Sequence, residues 1–173
     1  MKKGFHKWWN VHGLCLPTLL SAQCTDKRVN EVTPALFRQY PTAELMAKAE
    51  PEDMLEFIGS VSYPNSKARH LVEMARMIVT DFKGEIPDTT AELVKLPGVG
   101  RKTANVLQAV WFGKAVMAVD THVYRVAHRM GLVPPTANTP LKVEEVLEKS
   151  INKEDIPRAH HWLLLHGRYV CQS

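Results

Sequence analysis

The chain has 173 residues, 45% hydrophobic and 23% charged, which is the composition of one substantial globular domain or two small ones and excludes disordered, collagen-like and low-complexity classes. No apolar run reaches 18 residues, so no membrane span is expected. Lys and Arg number 22 against 18 Asp and Glu, and the resulting +4 permits a polyanionic partner without requiring one. Three cysteines, Cys15, Cys24 and Cys171, are too few for a secreted disulfide framework. Met1 to Asn10 has no apolar core of a signal peptide, so a reducing cytoplasmic setting is expected.

In chain order, residues 1–17 show no periodicity and receive no element. Trp8 and Trp9 there could stack on a base or anchor the terminus. From Leu19 onward apolar residues recur at helical spacing, as in Leu71, Met74, Ala75, Ile78 and Val79, or Val143, Val146, Leu147 and Ile151. Proline and glycine at Pro41, Pro51, Gly59, Pro64, Gly84, Pro87, Gly113, Pro134, Pro140 and Pro157 divide these runs into about eight to ten helices. The class is all-α. Only Ala115 to Val119 reads as an extended connector.

The segment from Ala91 to Met130 carries the chemistry. Thr89 and Glu92 form a capping box for a helix expected to end at Leu96, before Pro97. Gly98, Val99 and Gly100 then form a tight turn whose glycines tolerate positive φ, and a second helix opens at Arg101. Such a turn leaves backbone N–H groups free at the positive end of a helix dipole, which suits a phosphate of any nucleotide sequence. Gly-x-Gly alone also fits an ordinary turn between helices. Lys102 lies in the first turn, where the dipole and the neighbouring Arg101 guanidinium both disfavour an ammonium, and a neutral amine is a nucleophile. A solvated or phosphate-pairing lysine is the plainer alternative.

Asp120 precedes the helical pattern of Val123, Val126, Ala127 and Met130 and is placed as an N-cap. It can do more. From Lys102 to Phe112 a helix climbs roughly 15 Å, and the seven residues Gly113 to Val119 can return roughly 23 Å when extended. Asp120 can therefore come back beside Lys102, so that an amine and a carboxylate share one pocket.

Leu96-Pro-Gly-Val-Gly-Arg-Lys-Thr-Ala104, with the aspartate of Val119-Asp-Thr-His122 eighteen positions after the lysine, resembles the endonuclease III family of helix-hairpin-helix DNA glycosylases. The resemblance runs from Leu19-Leu-Ser-Ala-Gln-Cys-Thr-Asp26 through Asn65-Ser-Lys-Ala68 to His160-His-Trp-Leu-Leu-Leu-His-Gly-Arg-Tyr169. It implies two helical lobes: a six-helix barrel over residues 18–114, with the helix-hairpin-helix at 89–112, and a second, incomplete lobe over 115–173. It also implies that Lys102 is the nucleophile and Asp120 the essential carboxylate. Leu96, Gly98, Val99, Gly100, Arg101 and His122 would contact DNA, with Gln23 entering the space of a flipped nucleotide and the loop Val61-Ser62-Tyr63 standing where a second wedge would be.

The implied activity is that of a base excision repair enzyme, both glycosylase and AP lyase, acting as a monomer on duplex DNA with a damaged pyrimidine or an abasic site. Alternatives on the same fold are a catalytically impaired DNA-binding module and a mismatch thymine or uracil glycosylase. The family's [4Fe–4S] site has the spacing C-x6-C-x2-C-x5-C, and Cys171 matches its first ligand. No cluster is expected in the chain as given, and one only with a longer native C terminus. His160 and His161 read as packing or solvated residues, with no Asp, Glu or Cys to complete a metal site.

Overall fold

The computed structural model describes residues 19–20 and 24–172. Trp8, Trp9, Cys15, Gln23 and the whole of residues 1–17 lie outside the described residues. The described residues are all-α, as the periodicity requires, with no strand among them and no helix long and apolar enough to cross a membrane. Two compact units divide between Gly100 and Arg101, inside the segment 89–112.

In the first unit, α1 (Asp26–Gln39), α2 (Ala43–Ala47), α3 (Pro51–Ile58), α4 (Pro64–Asp81) and the single turn α5 (Thr90–Leu93) follow in order. Hydroxyls cap α1 and α2 through Thr25 and Thr42, and α3 opens on a capping box between Glu50 and Asp53 with Pro51 at its first position. α4 is the centre of the unit. Ala68, Leu71, Val72, Ala75 and Ile78 place a buried stripe on it, against which α2 and α3 pack. Arg76 ties this packing down by donating to the Ala47 and Ala49 carbonyls at 2.9 and 3.0 Å, satisfying acceptors at the end of α2.

α5 is shorter than its capping signal suggests and stops at Leu93 rather than Leu96. Lys95 and Leu96 donate to Glu92 and Leu93, three residues back, so the chain tightens before Pro97 instead of extending the α-helix. The box is also rearranged. The Thr89 hydroxyl accepts from the Glu92 N–H at 3.2 Å and donates to the Glu92 carboxylate at 2.7 Å.

The second unit holds α6 (Arg101–Val110), an irregular connector through Asp120, α7 (Thr121–Arg129), α8 (Pro140–Ser150), a short 3-10 turn (Lys153–Asp155) and α9 (Ile156–Tyr169). Its core is built from Met117 and Val119 of the connector, Val123, Val126 and Ala127 of α7, Val143 and Leu147 of α8, and Ile156 and Leu163 of α9. α7 and α9 run side by side in the same direction. His122 meets Gly167, Arg125 reaches the carbonyls of Gly167 and Cys171, and Arg129 reaches Gln172, so contacts advance together along both helices.

Candidate active site

The hairpin at Leu96–Gly100 is anchored by its apolar residues and open at its glycines. Leu96 and Val99 are buried, and the Val99 N–H donates to the Leu96 carbonyl at 3.0 Å. Gly98 and Gly100 are exposed, and their N–H groups donate to no atom among the described residues. Only Gly98 has positive φ, at 77°; Gly100 does not. A Cβ on Gly98 would lie 2.6 Å from Leu19 Cδ1 and 3.2 Å from His70 Cβ, whereas one on Gly100 would meet nothing within 4 Å. Gly98→Ala is therefore expected to cost about 1–3 kcal/mol, from left-handed strain plus overlap, and to lower Tm by several degrees. Gly100→Ala should leave Tm near the parent value. Thermal melts by circular dichroism check this, and equal melting of the two variants would contradict the assignment.

The connector is tied to α6 in steps. The Lys114 N–H donates to the Gln108 carbonyl at 2.9 Å, and one helical turn earlier the buried Asn105 amide donates to the Met117 carbonyl at 3.1 Å. As the connector advances three residues, α6 is met three residues nearer its start. Lys102 lies three residues before Asn105 on α6, and Asp120 three residues after Met117 on the connector. Asp120 caps α7 through one oxygen alone, Oδ1, which accepts from the N–H groups of His122 at 2.9 Å and Val123 at 2.8 Å. Oδ2 makes no hydrogen bond among the described residues. Lys102 is exposed and Asp120 half-buried. The ring of His160 lies within electrostatic reach of both.

Arg101 turns toward α8, where its guanidinium binds Glu144 in bidentate fashion at 2.7 to 3.2 Å. Glu144 is buried, and its hydrogen bond is the first cause holding Arg101 more firmly protonated. The pressure that Arg101 was expected to exert on Lys102 is thus offset by a carboxylate. Glu148, one turn on, accepts the Met117 N–H at 2.7 Å, while burial pushes its carboxyl up. Asn105, Glu144 and Glu148 are the residues that sequence reasoning missed. Asn105 carried a readable signal, a polar residue one turn after Lys102 in an apolar helix, but the partners of the two glutamates lie far away in sequence.

His122 is half-buried, with Nδ1 3.2 Å from the Gly167 carbonyl, and a Cβ on Gly167 would sit only 2.8 Å from its own Cβ. In the first unit Val61 is buried, while Tyr63 is exposed and caps α4 with φ of 55°.

Cys171 is half-buried beside Arg129, whose hydrogen bond at 3.3 Å is the first cause drawing the thiol toward thiolate. A [4Fe–4S] cluster needs four protein ligands. The chain has three cysteines, and no group of three or more His, Cys, Asp or Glu among the described residues is placed to hold a metal. These residues do not make a cluster site.

Residues 16–153 match the model of the HhH-GPD superfamily base excision DNA repair proteins. The endonuclease III of Rickettsia felis is 43% identical over 164 residues, covering 95% of this chain and 76% of that protein. That of Escherichia coli K12 is 40% identical over 158 residues, covering 91% and 74%. A solved endonuclease III–DNA trapped covalent intermediate superposes with a TM-score of 0.87 at 41% identity, over 94% of this chain and 76% of that one. A thermostable thymine-DNA glycosylase, at 21% identity and a TM-score of 0.79 over 94% and 76%, shares the fold. The chain belongs to the endonuclease III family of the HhH-GPD superfamily, base excision repair enzymes that are both DNA glycosylases and AP lyases.

Proposed function

We propose that this chain excises oxidised pyrimidines from duplex DNA and cuts the strand 3′ to the resulting abasic site, with Lys102 as nucleophile and Asp120 as its carboxylate partner. The observation that carries this reading is the stepwise tie of connector to α6, which runs from Gln108 and Asn105 toward Lys102 and from Lys114 and Met117 toward Asp120. The hairpin supports it too, since the N–H groups of Gly98 and Gly100, which donate to no atom among the described residues, suit a phosphate oxygen. Leu96 and Val99 hold that turn in shape from within the core.

A damaged base flips out of the stack at reduced cost because it stacks poorly. The Lys102 amine then forms a bond from Nζ to C1′ as the glycosidic bond breaks, and the base leaves with the electron pair and takes up a proton. Positive charge grows on the sugar during this step. Asp120, whose Oδ2 is uncommitted, offsets that charge and receives the proton released by the attacking amine. Opening of the sugar gives an iminium between Nζ and C1′. Loss of a C2′ proton then expels the 3′ phosphate, and water releases the amine from C1′.

An iminium is reducible. Borohydride added to the protein with an abasic-site duplex should give one covalent adduct, and peptide mass mapping should place the DNA remnant on Lys102. No adduct, or an adduct on another residue, would overturn the reading.

A further inference from the structure

α9 carries a histidine that the chemistry above leaves unused. His160, Leu163 and Gly167 share one face of that helix, and Gly167 lies against His122 in the first turn of α7. Because α7 and α9 run in the same direction, moving from Gly167 back to His160 passes beyond the start of α7 and arrives alongside Ala118–Asp120. The Ala118 backbone is among the groups that act on the ring there. His160 Nδ1 is buried and has no hydrogen-bond partner among the described residues, and the ring of His161 stands edge-on at 5.6 Å. A buried nitrogen without a partner carries a desolvation cost, and its place beside Asp120 calls for a role there.

We propose that His160 is a positioning residue for Lys102 and Asp120, an uncharged ring that braces the Ala118–Asp120 segment and keeps a competing cation away from the carboxylate. This rests on the roles given to Lys102 and Asp120 above. The groups facing the ring are His161 on its own helix, Lys102 on α6 and Asp120 at the start of α7. Burial foremost, then the neighbouring His161 and Lys102, hold His160 below the usual histidine range, against the opposing pull of Asp120 and the Ala118 backbone. Acidification through that lowered range turns the ring into an imidazolium. The new cation pairs with Asp120 and withdraws its charge from the sugar.

Single-turnover cleavage of an abasic duplex at saturating protein, followed against pH, tests this. His160→Phe should slow the neutral-pH rate by about 10- to 100-fold. Its acidic limb, below about pH 6.5, should lose about one proton's worth of slope relative to the parent. A slower variant with the parent's slope would mean packing alone and overturn the proposal, as would an unchanged rate. Should the phenylalanine variant not fold, His160→Gln takes its place with the same expected loss of slope.

Imidazole 15N titration provides a readout independent of turnover. Lys102→Ala should raise the His160 midpoint and Asp120→Asn should lower it; no movement in either refutes the proposed arrangement. If the parent itself forms no borohydride adduct, the functional reading falls and this inference with it. If the parent reacts and the His160 variant matches it, only the inference falls.

Discussion

Lys102→Ala is expected to abolish both the borohydride adduct and single-turnover strand cleavage at an abasic site, while duplex binding and melting temperature stay close to the parent. The loss should be total within detection because the step needs a nitrogen lone pair at C1′, and the adjacent Arg101 cannot supply one. A guanidinium stays protonated in proteins, and this one is held by Glu144. Stability should change by no more than about 0.5 kcal/mol, since Lys102 is exposed and surface substitutions of this kind are near neutral. Electrophoretic separation of the trapped complex, with gel-shift binding and thermal melts as controls, measures all three. An alanine variant trapped at the parent rate would remove Lys102 from the mechanism and assign the iminium to another amine, whereas no adduct from either the parent or the variant would leave the protein as a DNA-binding module.

Asp120→Asn separates two jobs that share one side chain. As a cap, asparagine serves about as well as aspartate, and its amide oxygen can accept the same two N–H groups of His122 and Val123. Loss of the negative charge at the start of α7 costs about 0.3–1 kcal/mol. Thermal stability should therefore fall only slightly. The rate should fall much further, by about 10²- to 10³-fold, because the charge that offsets the developing cation is gone. That corresponds to about 3–4 kcal/mol at the transition state. Single-turnover kinetics beside a thermal melt give both numbers, and an unchanged rate would reduce Asp120 to a cap.

The contrast between these residues and their surroundings shows what a linear sequence encodes. The hairpin, the start of α6 at Arg101, the lysine one residue on and the cap at Asp120 are local devices, each legible because glycine, proline and capping residues act on their near neighbours. The end of α5 was misplaced because tightening of the chain before Pro97 leaves no signature beyond the proline itself. Both hairpin glycines tolerate a left-handed turn, but which of them adopts it is not legible from composition: Gly98 does and Gly100 does not. The binding of Arg101 to Glu144 and the approach of His160 to Lys102 and Asp120 join residues forty or more positions apart. They follow from how α8 and α9 pack, which periodicity does not report. His160 is the clearest case, because at the level of sequence it could not be distinguished from its exposed neighbour His161.

Arg125 and Arg129 fasten the final turn of α9 to α7 through the carbonyls of Gly167, Cys171 and Gln172. Helix ends ordinarily fray on their own, but here neither helix can loosen at that end without releasing charged hydrogen bonds held by the other. The two helices are expected to open together, as one cooperative unit. Asp120 sits at the head of one and His160 near the head of the other, so melting of the pair would separate these two groups in the same event.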